Sequence, residues 1–148
     1  MNTPNDTRET GCALCNELSD AATPVAYADD HVVVFPARWP AVGHEGAVLV
    51  VTRQHTPTIY DINDALAGPL MRRLRDIAAA VHQAFAATGT TIRQNNGPPG
   101  QDVAHLHFHI APRYANDDFW NAEVREATRA ERTQWAARIG AFLTRSPP

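Results

Sequence analysis

The longest periodic pattern of apolar residues in the chain is typical of a helix. Apolar side chains recur there at steps of three and four, which places them on one stripe of an amphipathic helix. Asp61 or Asn63 can cap the start of this helix, and Gly89 can end it. The residues of the stripe are Leu66, Leu70, Leu74, Ile77, Val81 and Phe85.

Four shorter runs of β-branched and apolar residues predict strands. They cover residues 31–35, 47–51, 90–94 and 103–111, and we expect Pro112 to stop the last one. Thr128 and Glu131 form a capping box before a final helix. The apolar residues of that helix are Trp135, Ile139 and Phe142. The pattern therefore predicts an α+β fold with an antiparallel sheet, one long helix and a C-terminal helix.

Three of the seven histidines fall within five residues of the fourth predicted strand. Residues two apart on a strand point to the same face, so His105, His107 and His109 should form one row, with neighbouring rings ~6.5–7 Å apart. The alternate residues, Leu106, Phe108 and Ile110, should face the core. Ordinary packing does not require such a row of imidazoles.

Three interpretations of the histidine row are open. The first is a set of surface histidines on a half-buried strand. The second is an all-histidine metal site, because pairs of the form His-x-His ligate zinc well. The third is covalent catalysis, since imidazole is a nucleophile near neutral pH and can attack phosphorus.

The 148 residues suit a single domain over 1–148, and we expect about 1–10 and 145–148 to be loosely ordered. A net charge of -3 argues against a general nucleic-acid binder. No apolar run approaches the ~18–20 residues of a membrane span. The start resembles no signal peptide, so we expect a cytoplasmic protein without a membrane partner.

The two cysteines, Cys12 and Cys15, are spaced as Cys-x-x-Cys. In a reducing compartment such a pair more often binds a metal or performs redox chemistry than forms a structural disulfide. No βαβ pattern surrounds the pair, which disfavours a thioredoxin-like redox motif. A coincidental pair of small apolar residues is the remaining alternative.

The sequence QDVAHLHFHIAPR at residues 101–113 resembles the signature of the histidine triad (HIT) family. Residues 43–55 resemble the Gly-His strand of that family, and residues 95–97 resemble its Asn-x-Gly loop. The resemblance implies a HIT-like fold with a sheet of about five strands. It also implies a homodimer that acts on nucleoside phosphates.

The same resemblance implies roles for individual residues. His107 would attack the α-phosphorus to form a nucleotidyl-histidine, and His109 would contact the phosphate. Asn95, Gln101 and Asp102 would bind the substrate, a dinucleoside polyphosphate or a nucleoside phosphoramidate. The protein would then be a nucleotide hydrolase or nucleotidyltransferase. A three-histidine metallohydrolase and a non-catalytic nucleotide-binding protein are the alternatives.

Zinc-bearing relatives of the family supply two histidines to complete a Cys-x-x-Cys zinc site. On this chain the four ligands would be Cys12, Cys15, His55 and His105. Four protein ligands close the coordination sphere, so the zinc would be structural.

The sequence departs from the family at the position of an acidic residue that binds the ribose hydroxyls. Eight positions before His44, that position holds Pro36, which has neither a carboxylate nor an N–H donor. We hypothesise that Arg38 or Trp39 replaces this contact, Trp39 by stacking on the base. His44 itself, in a Gly-His turn, is interpreted as structural.

Overall fold

Five strands form one antiparallel sheet in the computed structural model, which describes residues 8–143. The expected looseness of residues 1–7 and 145–148 therefore lies outside the described residues. The strands are β1 (Tyr27–Ala28), β2 (Val32–Pro36), β3 (Val48–Thr52), β4 (Gly89–Arg93) and β5 (His107–Arg113). The helices are α1 (Ala13–Ser19), α2 (Asp64–Ala84) and α3 (Arg129–Leu143), with a short 3-10 turn at Ile59–Asp61.

The order of the strands is β1-β2-β3-β5-β4, and every neighbouring pair is antiparallel. This confirms the predicted α+β fold. No helix in residues 8–143 is both long enough and apolar enough to cross a membrane.

The pairing of β3 with β5 separates the two faces of the sheet. Val48 lies opposite Ile110 and Val50 opposite Phe108, and these four side chains join the main core. On the other face, Val51 lies opposite His107. Paired residues of an antiparallel sheet share a face, so His107 and His109 lie opposite the main core. The predicted core row is confirmed, because Leu106, Phe108 and Ile110 all belong to the main core.

Helix α2 covers one face of the sheet. Its N-cap is Asn63, whose side chain accepts a hydrogen bond from the backbone N–H of Leu66 at 2.9 Å. The helix ends at Ala84, earlier than predicted, because Ala86 takes a positive φ of 47° that no helical residue has. Gly89 is instead the first residue of β4. All members of the predicted apolar stripe pack in or against the main core.

The predicted span of β5 was wrong at both ends. Residues 103–106 turn instead of extending, because the backbone N–H of Leu106 donates to Thr56 at 2.6 Å and that of His105 to Val103 at 2.8 Å. At the other end the strand passes through Pro112. The carbonyl of Arg113 accepts a hydrogen bond from the backbone N–H of Thr88, on the side of β4. The backbone N and C=O positions of the preceding residue, Pro112, therefore face the side of β3. β3 pairs with β5 only as far as Ile110, and residue 112 therefore needs no N–H.

The predicted capping box of the last helix is confirmed. Glu131 accepts from the backbone N–H of Thr128 at 2.8 Å, and the Thr128 hydroxyl accepts from the backbone N–H of Glu131 at 3.1 Å. Within α3, Ile139 is fully buried, whereas Trp135 and Phe142 are only partly buried.

Helix α1 packs on the face of the sheet opposite α2, where Leu14 contacts the second core cluster with Val33, Phe35 and Val51. The hydrophobic pattern did not predict α1 or the two-residue β1. Both are too short to show a period.

Candidate functional site

Two cysteines and two histidines meet on the α1 side of the sheet. Their ligand atoms all lie within 4.8 Å of one another, so Cys12, Cys15, His55 and His105 could hold a metal ion. Cys12 is the N-cap of α1, which places Cys15 in its first turn, and the Cys12 sulfur accepts from the backbone N–H of Cys15 at 3.4 Å. The structure therefore brings the four predicted ligands together.

The spacing of these atoms suits a tetrahedral ion. Zinc bonds of ~2.3 Å to sulfur and ~2.0–2.1 Å to nitrogen give an edge of about 3.6 Å between sulfur and nitrogen. The Nδ1 atom of His105 lies 3.6 Å from the Cys12 sulfur and 3.5 Å from the Cys15 sulfur. The Nδ1 atom of His55 lies 3.3 Å from the Cys15 sulfur. The donor set and its geometry thus fit zinc.

Hydrogen bonds fix the two histidine rings for this purpose. The Nε2 atom of His105 lies 2.7 Å from the carbonyl oxygen of Thr52 and must donate to it, which leaves the Nδ1 lone pair facing the sulfurs. The Nε2 atom of His55 contacts the carboxylate of Glu9. Burial lowers the pKa of His105 to about 4, so its ring is neutral and available as a ligand.

His105 is fully buried, unlike the other two histidines of the motif, which are partly buried. Its ring packs on His55 with centroids 4.9 Å apart, while His107 packs on His109 with centroids 5.1 Å apart. His105 therefore lies on the same side of the sheet as His107 and His109, as predicted, but in the turn before β5 and not on the strand. Within residues 8–143, the one His/Cys/Asp/Glu group arranged to hold an ion excludes His107 and His109.

His107 opens β5 with its ring oriented by the main chain. Its Nδ1 atom lies 2.6 Å from the carbonyl oxygen of His105. A carbonyl oxygen only accepts, so Nδ1 carries the proton and Nε2 keeps its lone pair.

His109 lies beside His107 and is charged only in acid. Burial, together with repulsion from the neighbouring His107 and Arg93, lowers its pKa to about 4. Arg93 is the residue of β4 opposite His109 and shares its face of the sheet. Sequence reasoning missed Arg93, although its place at the end of a strand next to the histidine strand was a usable signal.

The predicted substrate-binding residues lie in the loop between β4 and β5. The side chain of Asn95 donates to the carbonyl of Gly100 at 3.0 Å. Gln101 accepts from the backbone N–H of Gly97 and donates to the carbonyl of Pro57, both at 2.7 Å. These side chains brace the loop.

Asp102 is exposed and lines a cavity of about 380 Å³ beside the cysteines. The structure thus places Asp102 on the side of the Cys/His cluster.

A second cavity, of about 200 Å³, opens beside His109. Trp39 lines it, as do Phe119 and Trp120 from the segment after β5, which sequence reasoning missed because that segment has no period. Arg38 lies elsewhere, with its guanidinium on Glu126. The larger cavity of about 390 Å³ near Arg38 contains none of the histidines.

Pro36 and His44, the two remaining positions singled out in the sequence, are both buried and hydrogen-bonded within the fold. Pro36 is buried in β2, and its carbonyl accepts from Arg132 at 3.0 Å. His44 is also buried, and its Nδ1 atom lies 2.8 Å from the carbonyl of Pro112.

Comparison with known proteins gives a consistent result. The family model described as HIT domain matches residues 19–116. The chain is 32% identical over 113 residues to the Protein hit of Bacillus subtilis, covering 75% of this chain and 77% of that protein. A crystal structure of a Hit-like protein involved in cell-cycle regulation from Bartonella henselae aligns with a TM-score of 0.79 at 26% identity, covering 90% of this chain and 97% of the other.

One relative that matches over a shorter stretch is named as a nucleotide-cleaving enzyme. The bis(5'-nucleosyl)-tetraphosphatase (asymmetrical) of Schizosaccharomyces pombe is 30% identical over 73 residues, which cover 49% of this chain and 40% of that protein. The family match spans more than half of this chain, and the fold and the histidine motif agree with it. The chain therefore belongs to the histidine triad (HIT) domain family.

Proposed function

We propose that this protein is a nucleotide hydrolase or nucleotidyltransferase whose nucleophile is the Nε2 atom of His107. The observation that carries the proposal is the 2.6 Å contact between His107 Nδ1 and the His105 carbonyl. It holds the proton on Nδ1 and leaves Nε2 as a lone-pair donor at the protein surface beside His109. A nucleophile activated by its tautomer is the arrangement that covalent catalysis requires.

The reaction proceeds in two displacements at the α-phosphorus. In the first, Nε2 forms a bond to phosphorus while the bond from phosphorus to the leaving group breaks, and that group departs with the electron pair and takes up a proton. In the second, an acceptor oxygen attacks phosphorus, loses its proton and restores the Nε2 lone pair. Water as acceptor makes the enzyme a hydrolase, and another hydroxyl or phosphate makes it a transferase.

The His105 carbonyl also favours the intermediate. Attack by Nε2 leaves a positive charge on the ring while Nδ1 keeps its proton, and the carbonyl dipole stabilises that charge. Arg93 offers a cation to the phosphoryl oxygens, and neutral His109 offers a hydrogen bond. We also assign substrate binding to Asn95, Gln101 and Asp102. Asn95 and Gln101 would act by holding the shape of the loop between β4 and β5.

The family and the tetraphosphatase relative support the proposed substrate class. A dinucleoside polyphosphate or a nucleoside phosphoramidate presents an α-phosphorus with a leaving group, as the reaction needs. Incubation with diadenosine tetraphosphate and adenosine phosphoramidate, followed by alkaline quenching and peptide mass spectrometry at alkaline pH, tests the proposal. We expect an adenylyl adduct on the peptide that contains His107 and none in His107→Ala. Nucleotide binding without adduct or turnover would identify a non-catalytic binding protein instead.

We propose in addition that the Cys12, Cys15, His55 and His105 cluster binds a structural zinc ion. Four protein ligands leave no open position for a substrate, so zinc would supply rigidity only. It would join α1 to the turn that precedes β5.

Metal analysis tests the zinc proposal. We expect one zinc per chain, lost in Cys15→Ser and retained in His107→Ala and in the exposed control His82→Ala. Loss of metal in His107→Ala together with retention in Cys15→Ser would support the three-histidine metallohydrolase.

We propose that the protein forms a homodimer, as family membership implies. β4 is an edge strand, and Ile92 on it is 45% exposed. Sedimentation equilibrium would detect the dimer, and Ile92→Lys should weaken it if β4 is the contact. The cytoplasmic location stays a prediction.

A further inference from the structure

Two adjacent aromatic residues line the cavity beside His109, and we refer to Phe119 and Trp120 together as the aromatic wall. Trp120 is 66% exposed, and Trp39 at the same cavity is 56% exposed. A cluster of exposed indole rings is uncommon on a protein surface unless it binds something. The two rings of the wall meet edge to face, with centroids 4.9 Å apart and an interplanar angle of 76°.

The guanidinium of Arg113 packs against both rings of the aromatic wall. It makes two hydrogen bonds to the carboxylate of Asp117, at 2.7 and 2.6 Å. The central carbon of its guanidinium lies 4.6 Å from the centre of the Phe119 ring and 5.7 Å from that of Trp120. A guanidinium that is locked flat by a bidentate carboxylate is a suitable surface for such stacking.

Asp117 belongs to this support as much as Arg113 does. Its side chain is only 10% exposed, and it also accepts from the backbone N–H of Tyr114 at 2.9 Å. The hydrogen bonds from Arg113 hold the pKa of Asp117 well below its usual range. The pair therefore stays ionised throughout the neutral pH range.

Two further contacts fix the wall to the rest of the fold. The edge of His44 meets Phe119, with centroids 4.8 Å apart and planes at 77°. Arg113 donates to the hydroxyl of Thr91 on β4 at 2.8 Å. The wall thus rests on β4 and on the turn before β3.

The facing rim of the cavity is fixed by backbone pairing. Residues 38–42, which carry Trp39, exchange hydrogen bonds with residues 123–127, and Ala41 forms a β-bridge with Val124. The cavity therefore has aromatic residues on two supported segments before any ligand binds.

We propose that Arg113 and Asp117 are positioning residues that hold Phe119 and Trp120 to stack against the planar base of a nucleotide whose phosphate lies towards His109 and Arg93. This inference rests on the proposed function, since it places the base of the same substrate. A preformed aromatic surface gives up little conformational entropy on stacking, so its alignment governs affinity. Stacking of one base on an aromatic side chain changes affinity by about 10-fold or more.

Binding of two probes to the metal-loaded full chain tests the proposal. The probes are adenosine 5'-monophosphate and ribose 5-phosphate, which differ by the base, and calorimetry measures both dissociation constants. We expect the wild type to bind the adenosine probe at least about 10-fold more tightly. Trp120→Ala and Asp117→Asn should reduce this preference to about 3-fold or less, with the ribose 5-phosphate constant unchanged.

Asp118→Asn is the matched control, because the Asp118 side chain bonds only to nearby Asn121 in the described structure. It should keep the full preference. An unchanged preference in the exposed Trp120→Ala variant, or equal weakening of both probes in folded Asp117→Asn, would overturn the inference. The experiment measures binding alone, so a missing adduct on His107 would refute the proposed catalysis and leave this result intact.

Discussion

The Nδ1 atom of His107 lies 2.6 Å from the backbone carbonyl oxygen of His105. The ring of His105 has the other tautomer, since its Nε2 atom donates to the carbonyl of Thr52 at 2.7 Å. Two histidines only two residues apart are therefore fixed in opposite tautomers. His107 keeps a lone pair on Nε2, which the proposed function assigns to the substrate, and His105 presents Nδ1 to the two cysteine sulfurs.

Nitrogen NMR of histidine-labelled protein should resolve these tautomers directly. At pH 7.5 we expect His107 to be protonated at Nδ1 and His105 at Nε2, because each of these nitrogens faces a carbonyl oxygen. His107→Ala and His105→Ala assign the signals. If His107 carries its proton on Nε2, the nucleophile assignment fails.

Glu9 should strengthen metal binding from outside the ligand set. Its carboxylate contacts Nε2 of His55, and its backbone N–H donates to the Cys15 sulfur at 3.4 Å. Carboxylates that orient a ligating histidine typically contribute 10–100-fold to metal affinity.

Glu9→Gln should therefore lose zinc to a competing chelator at about 10-fold lower chelator concentration. Glu17→Gln is the control, since Glu17 pairs with Arg132 away from the cluster. Equal zinc retention by the wild type and Glu9→Gln would show that the contact to His55 is incidental.

The partly buried ring of His109 should make stability depend on pH. Its folded pKa is about 4, whereas an unfolded histidine has a pKa of ~6.5. Between these values the unfolded chain takes up a proton that the folded chain does not, so the free energy of unfolding falls as the pH drops through this window.

His109→Gln removes this contribution. Urea unfolding at pH 7 and pH 4.5 should show an acid-induced loss of stability that is smaller than in the wild type by about 1–3 kcal/mol. Metal release in acid affects both proteins and cancels in the comparison. An identical loss in the two proteins would mean that His109 is solvated enough to titrate normally.

Gly46 precedes β3 in a conformation that only glycine tolerates well. Its φ is 95°, and an added Cβ would lie 2.3 Å from the ring of Phe85. Gly43 has a similar φ of 84° but open space around it.

The two glycines therefore separate backbone strain from a clash. Gly43→Ala should lower the free energy of unfolding by about 1–2 kcal/mol through the backbone alone. Gly46→Ala should lose a further 1–3 kcal/mol or so, because the Phe85 ring must move. Equal losses in urea unfolding would indicate that Phe85 shifts freely.

The sequence was most informative where a pattern is long. The apolar stripe of α2 keeps one period over almost the whole helix, and the alternation of Leu106, Phe108 and Ile110 gave the correct core row, so both were predictable. The zinc ligands came from the family resemblance. Nothing in the spacing of Cys12 and His55 alone brings them together.

The rest depended on where the chain turns. Alternating histidines look the same whether a strand begins at residue 103 or 107, so His105 was placed on the strand and not in the turn before it. Arg93 could be paired with His109 only once the register of β4 was known, and the long loop between the strands does not fix it. Phe119 and Trp120 lie in an irregular segment whose position depends on Arg113 and His44.

His105 takes part in both sites: its ring lies in the Cys/His cluster, and its carbonyl accepts the hydrogen bond from His107. Removal of the ion would free the ring, loosen the turn and misalign the carbonyl on which His107 depends. If the proposed zinc site and the proposed catalysis both hold, a chelator would inactivate the enzyme at the rate at which the ion leaves, although the proposed bond-breaking step uses no metal. An inhibition assay would then classify the protein as a metalloenzyme, and alanine substitution of His105 would lower activity as much as substitution of the proposed nucleophile, His107.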